Sequence, residues 1–190
     1  MNKSIVKIIY TILYSIYAGL AIGIAALCKY NIESALIGAL VFPIGILIVI
    51  NKKYLLFTGK IGYIVQEKNY ADLLIMLIFN MLAARCIGII NGVSASINIS
   101  AADIPIYLFQ SIICGFLVYI AVSAKDSLIT YGSIAAFILI GGKHCIAEAF
   151  RLSFNINNIL YLLAIAIGNS IGAIAANHIE KVKSKYQGTR

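Results

Sequence analysis

Hydrophobic residues run through almost the whole chain in six long stretches, which short polar or basic segments separate. The stretches cover approximately residues 5–28, 33–66, 71–92, 104–124, 127–153 and 157–178. A helix needs roughly 20 consecutive apolar residues to cross a bilayer, and every stretch is near or above that length. The pattern therefore predicts an all-α integral membrane protein with six transmembrane segments.

Polar residues and glycines interrupt the second and the fifth stretch. The second is broken at Asn51–Lys60, where Thr58 and Gly59 would form a flexible loop at mid-membrane, and the fifth is broken at Gly141–His144. Backbone that leaves a helix at membrane depth is tolerated only where it is buried in protein or lines a cavity. Interruptions at matching positions of two halves are typical of inverted-repeat transporters. The alternative is a plain aqueous loop at 51–60 between two shorter segments.

These interruptions predict one polytopic domain over residues 1–190, built from two three-helix halves at about 5–92 and 104–178. Since each half has an odd number of spans, the halves run through the membrane in opposite directions. The sequence thus predicts a 3+3 inverted repeat with broken second and fifth helices. A site near the bilayer midplane is expected between the halves.

Composition and charge support this interpretation. The chain is 62% hydrophobic and 12% charged, whereas soluble domains are about half apolar and a quarter charged. The net charge of +8 does not indicate nucleic-acid binding, because the lysines cluster at the ends of apolar stretches, as they do beside anionic lipid. With the N-terminus in the cytoplasm, eight basic residues lie inside and two outside, so both termini are predicted to be cytoplasmic. The inside set is Lys3, Lys7, Lys68, Lys125, Lys181, Lys183, Lys185 and Arg190, and the outside set is Lys29 and Arg151.

Motifs for catalysis or metal binding are missing from the sequence. The four cysteines have no paired spacing, and there is neither an HExxH motif nor a phosphate-binding glycine loop. The sequence predicts no metal, no cofactor and no enzymatic activity.

His144 is the most informative residue, because it sits beside Lys143 at the glycine break of an apolar stretch. An ionisable group at this depth is costly unless it faces a cavity or a partner. An imidazole there could donate a hydrogen bond or a proton to a passing anion, or it could simply pack against a backbone carbonyl. Lys143 either adds positive potential or points away, and Glu148 either acts on His144, one helical turn before it, or pairs with Arg151.

Four motifs resemble those of the formate/nitrite transporter family. They are Phe42–Ile46 with Leu56–Gly59, Cys114–Val118, Gly142–Phe150 and Ile167–Gly172. The resemblance implies an aquaporin-like fold, a homopentamer in a bacterial inner (plasma) membrane, and one pore in each protomer for formate, nitrite or hydrosulfide.

The resemblance also implies residue roles. Phe42, Ile46 and Phe137 would form one constriction and Val118 another, Leu56 and Thr58 would lie in the family's omega loop, and His144 would lie at the pore centre. The chain departs from the family at Lys143, Glu148 and Gly115, and Arg85 takes the place of a third-helix asparagine. A buried partner is expected for Arg85: Asn169, loop carbonyls or a carboxylate.

The predicted function is a channel or proton-coupled transporter for a small monovalent anion. Two alternatives stay open. A pore for neutral solutes such as water, ammonia or hydrogen sulfide would have the same shape, and a non-transporting membrane scaffold or sensor would explain the departures at Gly115, Lys143 and Glu148.

Overall fold

The computed structural model describes residues 3–97, 100 and 103–187, and this part of the chain is helical apart from short connections. Its helices are α1 (Lys3–Tyr30), α2 (Ala35–Val41), α3 (Pro43–Asn51), α4 (Phe57–Lys60), α5 (Ile64–Glu67), α6 (Tyr70–Ile90), α7 (Ile104–Ser123), α8 (Ser127–Leu139), α9 (Cys145–Arg151) and α10 (Ile156–Gln187). A 3₁₀ turn, Ile61–Tyr63, joins α4 to α5.

Four of these helices, α1, α6, α7 and α10, are long and apolar enough to cross a membrane. They match the first, third, fourth and sixth predicted stretches. The helix pairs with the most extensive contact are α1 with α6 and α7 with α10. Gly19 of α1 lies against the backbone of Asn80, and Gly115 of α7 lies against the backbone of Asn169, so a Cβ at either glycine would collide with the facing helix. The two pairs are thus packed in the same way.

The second stretch is broken differently from the prediction. Pro43 begins α3, because proline lacks an N–H and is best tolerated in the first turn of a helix, and α2 stops just before it. The irregular segment after α3 is only Lys52–Leu56. Thr58 and Gly59 lie in the helical turn α4, so the expectation that they form a flexible loop is wrong.

The fifth stretch breaks where the sequence predicted. Helix α8 ends at Leu139, and Gly141 follows with φ +73°, a left-handed conformation that glycine adopts without strain. Residues 142–144 form no regular structure, and His144, in an extended conformation, is the N-cap of α9. Two short helices, α4 and α9, therefore begin inside the bundle.

Two faces of the bundle can be distinguished by the contacts at the helix ends. The proximal face contains the start of α1, the start of α6 and the ends of α7 and α10. It carries the ion pair between Lys7 and Asp72 at 2.7 Å and the hydrogen bond that Tyr119 donates to Glu180 at 2.6 Å. On the distal face, the segment that follows α6 forms a parallel bridge between Ala95 and Leu152. The bridge ties the connection between the two halves to the end of α9.

Candidate functional site

Asn80 and Asn169 hold the starts of the two short helices. The Asn80 amide donates to the carbonyls of Leu55 and Ser15 and accepts from the N–H of Phe57, the first residue of α4. The Asn169 amide donates to the carbonyls of Lys143 and Ser111 and accepts from the N–H of Cys145, the first residue of α9. Backbone groups that leave a helix inside a bundle must be paired in this way.

The family resemblance put Arg85, and not Asn80, at the position of the third-helix asparagine. The structure corrects this: Asn80 makes the contacts that match those of Asn169, with distances of 2.7–3.0 Å. The available signal was an amide in the middle of an apolar stretch, which is costly unless it is paired.

His144 lies between the two short helices and is 1% exposed. Its Nδ1 accepts the N–H of Ala147 at 3.2 Å, which makes His144 the side-chain cap of α9. Its Nε2 lies 2.9 Å from Oγ1 of Thr58 in α4. Because a nitrogen that accepts an N–H carries no proton, the neutral imidazole has its proton on Nε2 and donates it to Thr58. The hydroxyl hydrogen of Thr58 is then left for another acceptor.

One apolar core cluster includes the buried residues Phe42, Ile46, Leu56, Val118 and Phe137, named here the apolar ring, and it meets this pair at Phe137. The rings of Phe42 and Phe137 meet edge to face with centroids 5.9 Å apart, and the Phe137 ring stacks on the His144 imidazole at 6.0 Å. Ile46 and Val118, the other predicted constriction residues, are also buried, and so is Leu56, which was predicted in the omega loop. The structure therefore places all of the predicted apolar site residues in the interior, within one core cluster.

A cavity of about 120 Å³ opens from the ring toward the distal face. Phe42, Phe137 and His144 form its inner end, while Lys29 and Arg151 supply positive charge. Glu148 is the one carboxylate among its described lining residues. The volume suits a few waters or one small ion.

A second cavity, of about 360 Å³, lies on the proximal side. Its lining includes Leu56 of the apolar ring and Gly59, and also the two basic residues Lys53 and Lys60. None of its described lining residues carries a carboxylate. The buried ring thus separates two basic cavities, and Ile46 and Val118 line neither of them.

The charged residues near His144 pair with one another. Arg151 donates from Nε and Nη2 to Oε2 of Glu148, at 3.1 and 2.5 Å, so the predicted ion pair between them forms. Lys143 lies 4.0 Å from Oε1 of Glu148 and 5.6 Å from the centre of the Tyr107 ring. Lys143 is not among the described residues that line the distal cavity.

Arg85 is buried and donates to the carbonyls of Val93 and Phe150, at 2.7 and 3.0 Å. Of the partners expected from the sequence, loop carbonyls are correct. Among the described residues Asn169 has other partners, and no carboxylate pairs with Arg85. Arg85 thus links the distal end of α6 to α9 by hydrogen bonds, away from the His144–Thr58 pair.

In comparisons of sequence, no protein family and no curated protein matches this chain. Among solved structures, one described as an "FNT family ion channel" superposes with a TM-score of 0.73 at 17% identity, over 96% of this chain and 91% of the other. A "Pentameric formate channel with formate bound" superposes with a TM-score of 0.64 at 17% identity, over 95% and 97%. The chain therefore has the fold of these channels, which confirms the fold that the motif resemblance implied.

Proposed function

Because the chain has the fold of formate/nitrite transporter channels, we propose that it is a short, divergent member of that family. The proposed function is a channel or proton-coupled transporter for a small monovalent anion such as formate, nitrite or hydrosulfide. One observation carries the proposal: a buried, hydrogen-bonded His144–Thr58 pair lies against the apolar ring, with a basic cavity on each side.

The cavities favour anions over cations. Lys53 and Lys60 on the proximal side, and Lys29 and Arg151 on the distal side, raise the local concentration of small anions by electrostatic attraction. Two of these four basic residues therefore lie on each side of the apolar ring. A neutral or cationic solute gains nothing from this arrangement.

The apolar ring sets the barrier, and His144 lowers it. Phe42, Phe137, Ile46, Leu56 and Val118 restrict passage by dewetting. A bare anion in such a constriction is costly unless it is hydrogen-bonded. The Nε2–H of His144 can turn from Thr58 to the anion, and the Thr58 hydroxyl can donate as well. In this tautomer His144 donates a hydrogen bond to the anion and keeps its own proton. In the proton-coupled form of the mechanism, a second proton, taken up from solution, crosses together with the anion as a neutral weak acid.

The proposed topology has six membrane spans. In it, α2–α3 with α4–α5 forms the broken second span and α8 with α9 the broken fifth, in two inverted halves at about 5–92 and 104–178. The parallel contacts of Asn80 and Asn169 support the inverted repeat. The excess of basic residues on the proximal face supports placing that face in the cytoplasm of a bacterial plasma membrane.

We also infer assembly as a homopentamer in the bilayer. A structure with the same fold is described as a pentameric formate channel. Each protomer would keep its own path, since both cavities and the ring are built from one chain. The similar structures are described as channels, which fits a role without catalysis.

Uptake into proteoliposomes tests the function directly. Purified protein is reconstituted, and influx of formate, nitrite and hydrosulfide is compared at acidic and at neutral pH. Flux of at least one anion supports the proposal: flux that rises at acidic pH indicates proton coupling, and flux that responds to membrane potential indicates a channel for the bare anion. Passage of ammonia and water without anions indicates a neutral-solute pore, and no flux from folded oligomers indicates a scaffold or sensor. Either result overturns it.

A further inference from the structure

Glu148 stands where an incoming anion would bind. Its side chain is 14% exposed and lines the distal cavity, one helical turn from His144 on α9. A carboxylate at the mouth of an anion path repels the ions that the nearby cations attract. The arrangement of its partners resolves this conflict.

The carboxylate of Glu148 forms an ion pair with the guanidinium of Arg151. Both Nε and Nη2 of Arg151 donate to the same oxygen of Glu148, Oε2, which also accepts from the hydroxyl of Tyr161 at 3.3 Å. A guanidinium edge is the preferred partner of small planar anions. While Glu148 holds this edge, a free anion in the cavity finds Lys29 but not the fork of Arg151.

The displaced carboxylate has a second cation within reach. Oε1 of Glu148 is already 4.0 Å from Nζ of Lys143, and Lys143 lies behind Glu148 rather than in the cavity. A change of side-chain rotamer would move the carboxylate from Arg151 toward Lys143. Neither charge would then be left uncompensated in a partly buried site.

We propose that Glu148 is a tethered competitor for the distal anion site formed by Arg151 and Lys29. An entering anion displaces the carboxylate from Arg151 onto Lys143, and Glu148 returns when the anion moves on to His144. The inference rests on the proposed function and adds a regulated, specificity-determining step to it. The proximal cavity has two lysines and no carboxylate among its described lining residues, so this competition is confined to one side of the path.

The side specificity provides the test. Vesicles that hold the protein in one orientation are used to measure the KM of the transported anion separately from each face, for the wild type and for Glu148→Gln. The amide keeps the shape but loses the charge that holds Arg151. The distal KM should fall about fivefold, the size that corresponds to the loss of one partly exposed ion pair, while the proximal KM stays the same.

Glu33→Gln is the matched control. Glu33 is exposed in the connection between α1 and α2, near the distal cavity but outside its lining, and the substitution changes the net charge by the same amount. Its distal KM should remain that of the wild type. Glu148→Asp shortens the side chain and keeps the charge, so it should lower the distal KM less than Glu148→Gln does. It also tests the proposal if Glu148→Gln does not fold.

The outcomes separate the two proposals. If the wild type carries no anion, the proposed function fails. If the wild type carries an anion but the Glu148 variants leave the distal KM unchanged, or change both faces equally, or match Glu33→Gln, the competitor inference is overturned while the function stands.

Discussion

Asn80 and Asn169 make the same set of three hydrogen bonds in the two halves of the chain. Each amide group accepts from the first N–H of a short helix and donates to the carbonyl two residues before it, and each also donates to a serine carbonyl of the neighbouring long helix. The facing glycines, Gly19 and Gly115, let those long helices approach closely enough. The short helices can therefore begin inside the bundle without leaving backbone groups unpaired.

Loss of either amide should destabilise the protein. Asn80→Ala and Asn169→Ala each remove the partners of three buried backbone groups, and we expect each to lower the free energy of unfolding by about 3 kcal/mol. Thermal unfolding in detergent measures this. Asn91→Ala is the control, since Asn91 caps its own helix end in an exposed position. Equal melting temperatures for all three variants would contradict the assigned role.

His144→Asn should separate the pore chemistry from the fold. Asparagine is a good N-cap and can still accept the Ala147 N–H, but it is too short to take the place of Nε2 beside Thr58. We expect the variant to fold with a lower melting temperature, because the buried contact with Thr58 is lost, and anion flux to fall about tenfold or more, as for a lost hydrogen bond to a charge. His178→Asn, at an exposed site on α10, should behave as wild type. Wild-type flux in folded His144→Asn would remove His144 from the mechanism.

Phe137→Leu should widen the range of anions that pass. Phe137 contacts both Phe42 and His144, so a smaller side chain there opens space next to the imidazole. The ratio of acetate to formate flux should rise about tenfold, as expected when an apolar pocket gains room for one methylene-sized group. Phe116→Leu, in α7 and outside both cavities, is the control. The same ratio in the two variants would mean that Phe137 does not limit the size of the solute.

Lys53→Gly should raise stability and lower proximal anion affinity at once. Lys53 has φ +55°, which costs a residue with a side chain about 1 kcal/mol that glycine avoids, and it lines the proximal cavity. Lys68→Gly relieves the same strain, at φ +50°, outside that cavity. Both variants should melt at a higher temperature, and only Lys53→Gly should raise the proximal KM. If Lys68→Gly raises it equally, general surface charge is responsible.

The long helices were predictable because a bilayer demands an uninterrupted apolar length. The third stretch, predicted at 71–92, corresponds to α6 at Tyr70–Ile90. The sixth was predicted to stop near residue 178, whereas α10 continues to Gln187. The apolar pattern marks where a chain leaves lipid, but a helix with good local propensity continues into water.

The site was predictable only in part. The pair of Glu148 and Arg151 follows from helical spacing, because residues three apart share a face. The contact between Thr58 and His144 joins two halves of the chain and was not predicted; the family resemblance implied only that Thr58 lies in the omega loop and His144 at the pore centre. The role of Asn80 could not be predicted, since its partners lie on α1 and at the start of α4 and depend on how three separate segments pack.

The fastening of α9 also has a consequence for biosynthesis. This short helix is held by Asn169 from α10, by Arg85 from α6 and by the bridge at Ala95. Helix α10 leaves the ribosome after all the other described helices, so α9 and the distal cavity beside it take their final form only once that helix has inserted. The last helix to be synthesised therefore completes the site that the earlier helices begin.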